Sequence, residues 1–388
     1  TGAGRVGLAG ARRNIRAPDS YTAPRPAAAA AAAMARGVRA VVPSADVVEL
    51  PMSDGGEGFT EAVAASLGAE VRDVDAVDAL GRPVTARIAL ADGTAVAEMA
   101  SASGLEIIAS EDRDVRASDT RGVGRLVKAA LDAGATRLLL GIGGSATNDG
   151  GAGMLVELGA RILDADGAEI GSTPAELARV ASVDLSGLDE RLADLEVDVA
   201  CDVDNPLLGE RGASAVFGPQ KGASEEDVAF LDEVLGRWAA ASGHEDDADR
   251  PGAGAAGGLG FALLAFLGAE LQPGIELVSV AVGLADAVEG AELVITGEGS
   301  VDAQTLGGKT PAGVAAVAKE AGVPTLIVAG RVKADADVLL DAGVVAVISN
   351  SQGESQDLAT ELANAASNTE RSTATALRLW THSTGRGH

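Results

Sequence analysis

Apolar residues recur along this chain with two spacings, and segments of the two kinds alternate. The spacing of an amphipathic helix is found near 27–42, 55–67, 118–133, 150–160, 224–243, 257–269, 310–322 and 355–379. Short runs typical of strands are found at 45–50, 69–77, 83–90, 94–99, 136–142, 195–203, 291–296, 323–329 and 344–349. Strands that alternate with helices in this way predict an α/β protein with a largely parallel sheet.

One region departs from this alternation. Three strand-like runs follow one another between residues 69 and 99, and turn residues separate them at 80–83 and 92–93. Consecutive strands joined by short turns are typical of antiparallel pairing. We therefore predict an antiparallel insertion here and, with it, a second domain in the middle of the chain.

The composition restricts the partners. The chain has 388 residues, of which only 2% are aromatic, and a formal net charge of −27 at pH 7. Nucleic acids and anionic membranes need basic surfaces, so we expect neither as a partner. An anionic substrate must then be bound by local donors. The length is typical of two or three domains, with cores of Ala, Val, Leu and Ile.

Cysteine usage and the absence of long apolar runs bear on the cellular location that we expect for the protein. The single Cys201 excludes an internal disulfide and fits a reducing environment. No run approaches the about 18 uninterrupted apolar residues of a membrane span. The first 13 residues contain three arginines but no apolar segment of a secretory signal. We therefore expect a cytoplasmic protein.

Residues 141–151, GIGGSATNDGG, are the most informative segment for chemistry. An apolar strand-like run ends directly before them, and an apolar helical pattern follows. A glycine-rich turn at a helix start directs backbone N–H groups at an anion, and the helix dipole adds partial positive charge. Its polar side chains are candidate phosphate or metal ligands: Ser145, Thr147, Asn148 and Asp149. The alternative is a structural turn capped by Asn148 or Asp149.

Three further polar groups lie beside glycines, just past an apolar strand. They are Asp54 and Glu57, then Asp202, Asp204 and Asn205, and finally Glu298, Asp302, Gln304 and Thr305. Ligands of open α/β sheets bind at the carboxyl ends of strands, so we expect these groups to converge on one crevice. Carboxylates for Mg²⁺ and N–H groups for phosphates suit phosphoryl transfer. Each group alone is more often a cap or a turn.

Lysine is rare, with five residues against 25 arginines. Lys309 stands at the start of a predicted helix and belongs to residues 303–310, a segment that approximates a P-loop. Residues 297–302, however, separate this segment from the preceding strand. Phosphate contact by Lys309 therefore stands beside the alternative of a solvated lysine. Two matches to the dinucleotide fingerprint, at 2–7 and 252–257, follow no strand and are discounted. The three histidines lie outside every polar group, which argues against a His base or a His-rich metal site.

At this point the chain resembles the type-1 glycerate kinases. The matching segments are APDS (17–20), PMSDGGEG (51–58), EMASASGL (98–105), GIGGSATNDGGAGML (141–155), ACDVDNPLLG (200–209), FGPQKGA (217–223), GAAGGLG (254–260) and TGEGSVDAQTLGGKTPAGVA (296–315). The resemblance implies phosphorylation of D-glycerate with ATP and Mg²⁺. It also implies a Rossmann-like domain from both chain ends, residues 1–66 and 286–388, and an inserted α/β domain at 67–285.

The resemblance and the residue pattern together give a set of site hypotheses. The predicted catalytic residues are Asp54, Glu57, Asp202 and Lys309. The predicted phosphate or nucleotide ligands are Gly143, Gly144, Ser145, Thr147, Asn148, Asp149 and Lys221. The predicted substrate ligands are Asp19, Ser20, Glu298, Gln304 and Thr305, and the predicted Mg²⁺ ligands are Asp202 and Asp302, with Asp54 or Glu57 as an alternative. We expect a monomer or a homodimer.

The chain departs from the family pattern near its start. The family reads APDSFKGSLSA after an apolar strand, whereas this chain reads APDSYTAPRPA after RRNIR. Thr22 replaces a lysine and Ala23 a glycine, so the first strand could be poorly formed and Arg25 would have to compensate. Three alternatives stay open: a glycerate kinase, an impaired relative that binds without turnover, and a kinase for another short hydroxy acid. The sequence leaves the 2- or 3-phospho product undecided.

Overall fold

The computed structural model describes residues 13–18, 27–307, 309–351 and 358–383. Its strands, numbered in chain order, are β1 (Arg13–Pro18), β2 (Asp46–Glu49), β3 (Glu70–Val77), β4 (Pro83–Ala91), β5 (Thr94–Glu98), β6 (Arg137–Gly141), β7 (Arg161–Leu163), β8 (Glu169–Ile170), β9 (Ser182–Asp184), β10 (Glu196–Ala200), β11 (Glu270–Gln272), β12 (Ala291–Gly297), β13 (Ser300–Val301), β14 (Thr325–Ala329), β15 (Arg331–Val332) and β16 (Val344–Ser349).

The helices of the same residues are numbered in the same way. They are α1 (Ala27–Arg39), α2 (Phe59–Leu67), α3 (Ala100–Ser103), α4 (Arg121–Asp132), α5 (Ala152–Glu157), α6 (Pro174–Leu177), α7 (Ala213–Phe217), α8 (Glu225–Ser242), α9 (Ala255–Phe266), α10 (Gly274–Ala281), α11 (Leu284–Val288), α12 (Thr310–Glu320), α13 (Val338–Asp341) and α14 (Leu358–Ser383). Short 3₁₀ turns lie at Ser110–Asp112, Glu190–Asp194, Pro219–Lys221, Glu245–Asp249 and Ala303–Gly307.

Every predicted strand and helix has a counterpart at nearly the predicted bounds, and the prediction of an α/β fold with parallel-sheet character is confirmed. The elements that the pattern missed include a small sheet of β8, β7 and β9, whose strands have two or three residues. Such strands are too short for a recurring spacing to be recognised. None of the described helices is long and apolar enough to cross a lipid bilayer.

The chain divides into two compact units, Thr1–Met52 with Ser279–His388 and Ser53–Val278. In the first unit, five strands form a sheet in the order β16-β14-β12-β1-β2, and all of its pairs are parallel. Despite its arginines, β1 pairs with strands on both sides, so this strand is well formed. The domain boundaries proposed from the sequence, 1–66 with 286–388 and 67–285, stay a prediction.

The core of the first unit shows how its sheet is covered. Met34 and Val38 of α1 pack with Leu293 of β12 and Leu377 of α14. Helices α1 and α14 pack closely at Gly37, where an added Cβ would lie 2.5 Å from the Glu370 carbonyl oxygen. Helices on a parallel sheet bury its apolar strands, and this burial is the main stabilising term.

In the unit Ser53–Val278, six strands form a sheet in the order β11-β10-β6-β5-β4-β3. The first four are parallel, and β4 and β3 are antiparallel additions next to β5. The region 69–99 is therefore antiparallel as predicted, but it extends the parallel sheet instead of forming a sheet of its own. Strands β6 and β10 end side by side at Gly141 and Ala200. Their ends place the two following loops together.

Candidate functional site

The first half of the glycine loop lies against a second glycine loop, residues 53–58. The Gly143 N–H donates to the Gly55 carbonyl oxygen at 3.2 Å. A Cβ on Gly143 would lie 2.9 Å from Gly56 Cα, and a Cβ on Gly55 would lie 2.5 Å from Ala200 Cβ. Only glycine permits both approaches. The two loops and the end of β10 therefore form one surface at the carboxyl edge of the sheet.

This surface lines an open cavity of about 320 Å³. Both glycine loops, the segment after β10 and the start of α9 contribute to its wall. The lining residues are Asp54, Gly56, Ile142, Gly143, Gly144, Ser145, Ala200, Cys201, Asp202, Val203, Phe217, Gln220, Ala255 and Ala256. Five of the predicted site residues are thus brought together. Phe217, Gln220 and Ala256 were missed, although the family segments 217–223 and 254–260 include them.

Two carboxylates are the charged groups of this cavity. The Gly274 N–H donates to Asp202 Oδ1 at 2.8 Å, and the Gly56 N–H donates to Asp54 Oδ1 at 3.3 Å. Burial, and secondarily the charge of Asp54, raises the pKa of Asp202 to about 6. No described Lys or Arg forms an ion pair with either carboxylate. A pair of close carboxylates without a cation is an arrangement that a hard divalent cation would stabilise.

The wider donor set fits magnesium better than zinc or calcium. Within the described residues, no three His, Cys, Asp or Glu side chains form a metal-binding group. Mg²⁺ is commonly held by one or two carboxylates, with water and substrate phosphates completing its octahedron. Asp54 and Asp202 therefore fit a metal that arrives with a nucleotide, and they do not form a complete protein cage.

The second half of the glycine loop is built into the protein interior. Asp149 is fully buried, and its Oδ2 accepts from the Thr120 N–H, the Thr120 hydroxyl and the Gly153 N–H at 2.7–2.9 Å. Burial raises the pKa of Asp149 to about 6, and the charge of Asp119 adds to the shift. The Asn148 Nδ2 donates to Ser214 Oγ at 3.0 Å. These bonds join the starts of α4 and α5 and anchor the loop to α7.

Lys221 belongs to this buried half as well. Only 1% of the residue is exposed, and its Nζ donates to the Thr147 carbonyl oxygen at 2.7 Å. Burial lowers the pKa of Lys221 to about 7. None of the side chains of Thr147, Asn148, Asp149 and Lys221 lines the cavity. Their predicted phosphate contacts stay a prediction, and their observed contacts are those of residues that position the loop.

Glu57 belongs to the 53–58 loop, and Glu98 accepts hydrogen bonds from its end. Glu57 is largely exposed and does not line the cavity; partial desolvation of its carboxyl group, and secondarily the nearby Glu106, raises its pKa. Glu98 is buried and accepts from the Gly58 N–H at 3.2 Å and the Thr60 N–H at 2.9 Å. Burial raises the pKa of Glu98 to about 7. Glu98 fixes the start of α2; the only sequence signal for it was the family segment 98–105.

The last polar group lies in the unit that contains β12. The Thr305 hydroxyl donates to Glu298 Oε1 at 2.6 Å, and Lys309 Nζ lies 3.8 Å from Glu298 Oε2. Lys333 Nζ donates to Asp302 Oδ2 at 2.7 Å, and this bond lowers the pKa of Asp302. Lys333 was not predicted.

The exposed Gln304 donates its backbone N–H to Asp302 Oδ1 at 2.9 Å. Asp302 is therefore neutralised within its own unit, and its role as a metal ligand stays a prediction. The predicted substrate ligands Asp19 and Ser20, and the altered segment 21–26, lie outside the described residues.

Comparisons with known proteins agree with the fold. The sequence matches the glycerate kinase family over residues 15–381. It is 49% identical to glycerate 2-kinase of Escherichia coli (strain K12) over 339 residues, which cover 86% of this chain and 89% of the relative. It is 47% identical to glycerate kinase of Bacillus subtilis (strain 168), again over 86% of this chain and 89% of the relative.

A solved structure supports the same assignment. The crystal structure of a protein provisionally named glycerate kinase 2, from Salmonella typhimurium LT2, superposes with a TM-score of 0.88 at 42% identity. The match covers 97% of this chain and 100% of the other. The chain belongs to the glycerate kinase family.

Proposed function

We propose that the protein transfers the γ-phosphoryl group of ATP to a hydroxyl group of D-glycerate, with Mg²⁺ held by Asp54 and Asp202. The observation that carries this proposal is the carboxylate pair beside the glycine loop, with which no described lysine or arginine forms an ion pair. A divalent cation bound there neutralises charge that develops on the transferred phosphoryl group. The two carboxylates also provide an acceptor for the hydroxyl proton of glycerate.

In this proposal, the cavity side of the glycine loop binds phosphate. Gly143, Gly144 and Ser145 line the cavity, and Gly144 has a φ of 72°, which glycine adopts without strain. Backbone N–H groups in such turns suit phosphate oxygens, and Ser145 adds a hydroxyl donor. The interior contacts of Thr147, Asn148 and Asp149 hold this backbone in place.

The polar group that contains Glu298 and Lys309 supplies local positive charge in a protein of net charge −27. Lys309 is about two-fifths exposed and close to Glu298, so its ammonium is held in position and remains accessible. We assign Lys309 to the triphosphate or to the glycerate carboxylate, with Gln304 and Thr305 in substrate binding. The metal roles of Asp302 and Glu57 become the alternatives to the Asp54–Asp202 pair.

A coupled assay of ADP release with D-glycerate tests this function. We expect Mg²⁺-dependent turnover that EDTA abolishes. ATP binding by calorimetry without turnover would instead support an impaired relative, and turnover of another short hydroxy acid in a substrate panel would change the substrate. The relative from Escherichia coli is named a 2-kinase, so we propose 2-phosphoglycerate as the product, which ³¹P NMR distinguishes from the 3-phospho isomer.

The remaining sequence expectations belong to the same proposal. They are a cytoplasmic location and a monomeric or homodimeric state. Gel filtration with light scattering tests the second of these directly.

A further inference from the structure

Lys221 is an unusual residue in this protein because its ammonium group is buried. It lies in the 3₁₀ turn Pro219–Lys221, with 1% of the residue exposed. No ion pair reaches Lys221 in the described part of the chain, and its recorded hydrogen bond goes to the Thr147 carbonyl oxygen at 2.7 Å. A single hydrogen bond offsets only part of the free-energy cost of removing an ammonium from water. A solubility role is therefore excluded.

The Thr147 carbonyl that Lys221 contacts is also approached from another side. A Cβ on Gly257 would lie 1.9 Å from this oxygen, and the Gly150 N–H donates to the Gly257 carbonyl oxygen at 3.0 Å. Residues 256–258 all have left-handed φ, including Ala256 at 53°. Such strain in a residue other than glycine persists only where the surroundings hold it in place. The glycine loop is thus clamped between Lys221 and this left-handed turn.

The clamp lies directly behind the cavity wall. Ser145 precedes Thr147 by two residues, Gln220 precedes Lys221, and Ala256 precedes Gly257, and all three of these neighbours line the cavity. Burial lowers the pKa of Lys221 to about 7, opposed by the charge of Asp149, so protonated and neutral lysine are both accessible near neutrality. Either form has an N–H that can donate to the carbonyl.

We propose that Lys221 is a positioning residue that fixes the Thr147 carbonyl, and thereby the phosphate-binding backbone at Gly143, Gly144 and Ser145, without contacting the substrate. This inference rests on the proposed phosphate-binding role of that backbone. It differs from a direct contact because the proposed role needs an N–H donor to the Thr147 carbonyl and does not need a positive charge. It differs from a purely structural role because the defect is confined to the loop.

The test compares Lys221→Met, which removes the donor, with Lys221→Gln, which keeps a neutral N–H donor. Lys128→Met is the control, since Lys128 is an exposed lysine of the same unit. We expect Lys221→Met to lower kcat on the order of 10²-fold, the effect of a misplacement of about 1 Å. Lys221→Gln should recover at least a tenfold part of this loss, and Lys128→Met should match the parent.

Hydrogen–deuterium exchange provides a readout that does not depend on turnover. In the unliganded protein, Lys221→Met should speed exchange in peptides covering 141–151 and leave peptides covering β3 and β4 unchanged. Equal kcat losses for Met and Gln, with a raised KM for ATP and unchanged loop exchange, would show a direct contact and overturn the proposal. Uniformly faster exchange throughout the unit would show a purely structural role. A parent protein without kinase activity would contradict the proposed function, while the exchange result still decides the role of Lys221.

Discussion

Two groups of acidic residues, the Asp54–Asp202 pair and the Glu298–Asp302 group, look alike in sequence and differ in their charge environment. Asp202 follows β10 and Asp302 follows β13, each near a second carboxylate and in a glycine-containing segment. Asp302 is bound by Lys333 at 2.7 Å, and Glu298 has Lys309 at 3.8 Å. Among the described residues, Asp54 and Asp202 have no such lysine or arginine.

The difference appears in the pKa values and separates two functions. Burial raises the pKa of Asp202 to about 6, whereas the Lys333 bond lowers the pKa of Asp302. A carboxylate pair without a cation favours an incoming metal ion, while a group that contains its own lysines can meet an anionic substrate. We therefore assign the metal to the Asp54–Asp202 pair and anion binding to the Lys309 group.

The largest expected effect is that of Asp202→Asn. Loss of one metal-binding charge should raise the activation free energy by about 3–4 kcal/mol and so lower kcat. It should also raise the Mg²⁺ concentration needed for the half-maximal rate. Steady-state kinetics over a Mg²⁺ titration measure both quantities. Asp204→Asn is the control, because Asp204 is exposed and paired with Arg211. An unchanged Mg²⁺ dependence for Asp202→Asn would remove the metal from this pair.

Lys309→Met tests the other group. This variant should lose about 2–4 kcal/mol of transition-state stabilisation, measured as a lower kcat/KM, because a preorganised cation no longer contacts the anionic substrates. The Mg²⁺ requirement should stay that of the parent. Lys319→Met, which changes an exposed lysine at the end of the same helix, is the matched control. A kcat/KM within threefold of the parent would mean that Lys309 has only a surface role.

The variant Gly143→Ala should push apart the two glycine loops that lie beside the carboxylate pair. The new methyl would press on Gly56 Cα and the Gly55 carbonyl oxygen, at 2.9 and 3.2 Å, so the loops must shift. We expect a kcat loss on the order of 10²-fold with a folded protein, measured together with circular dichroism. Gly236→Ala in α8, where the nearest contact would be an ordinary 3.6 Å, should retain full activity.

Glu98 is a buried carboxylate of this unit with which no described lysine or arginine forms an ion pair. Its pKa is raised to about 7 from 4.5, so the folded state binds the proton more tightly than the unfolded state. Stability from this proton is therefore present at low pH and is lost as pH rises from 4.5 through 7.

Relative to Glu98→Gln, the parent should lose about 2 kcal/mol of unfolding free energy between pH 5 and pH 8. Urea unfolding at both pH values measures this difference. Glu196→Gln, at an exposed position, should show no such change with pH. A pH-independent difference for Glu98→Gln would mean that Glu98 is charged throughout this range.

The smallest effect is expected for Asp302→Asn. The Lys333 side chain is more than half exposed, and ion pairs of exposed groups contribute little because water screens them. The variant should keep the Mg²⁺ requirement of the parent and change kcat less than fivefold. A Mg²⁺ requirement raised as far as in Asp202→Asn would place the metal at Asp302 and reverse the comparison.

The sequence by itself determined the elements and the family. The apolar spacing located the strands and helices because a helix or strand that buries one face must repeat apolar residues with its own period. The glycine loop at 141–151 was recognisable for a local reason: a strand, a tight turn and a helix start are encoded by neighbouring residues. The family segments carried the kinase assignment, which the comparisons support.

Only the tertiary structure decided which polar residues face the cavity and which are structural. Ser145 lines the cavity while Asp149, four residues later, bonds to Thr120, and Lys221 reaches the Thr147 carbonyl from a distant segment. Lys333 neutralises Asp302 across 31 residues of chain. Such partners are fixed by how the chain crosses itself, and the resulting burial and charge set each pKa and each accessible surface. No local spacing encodes these crossings.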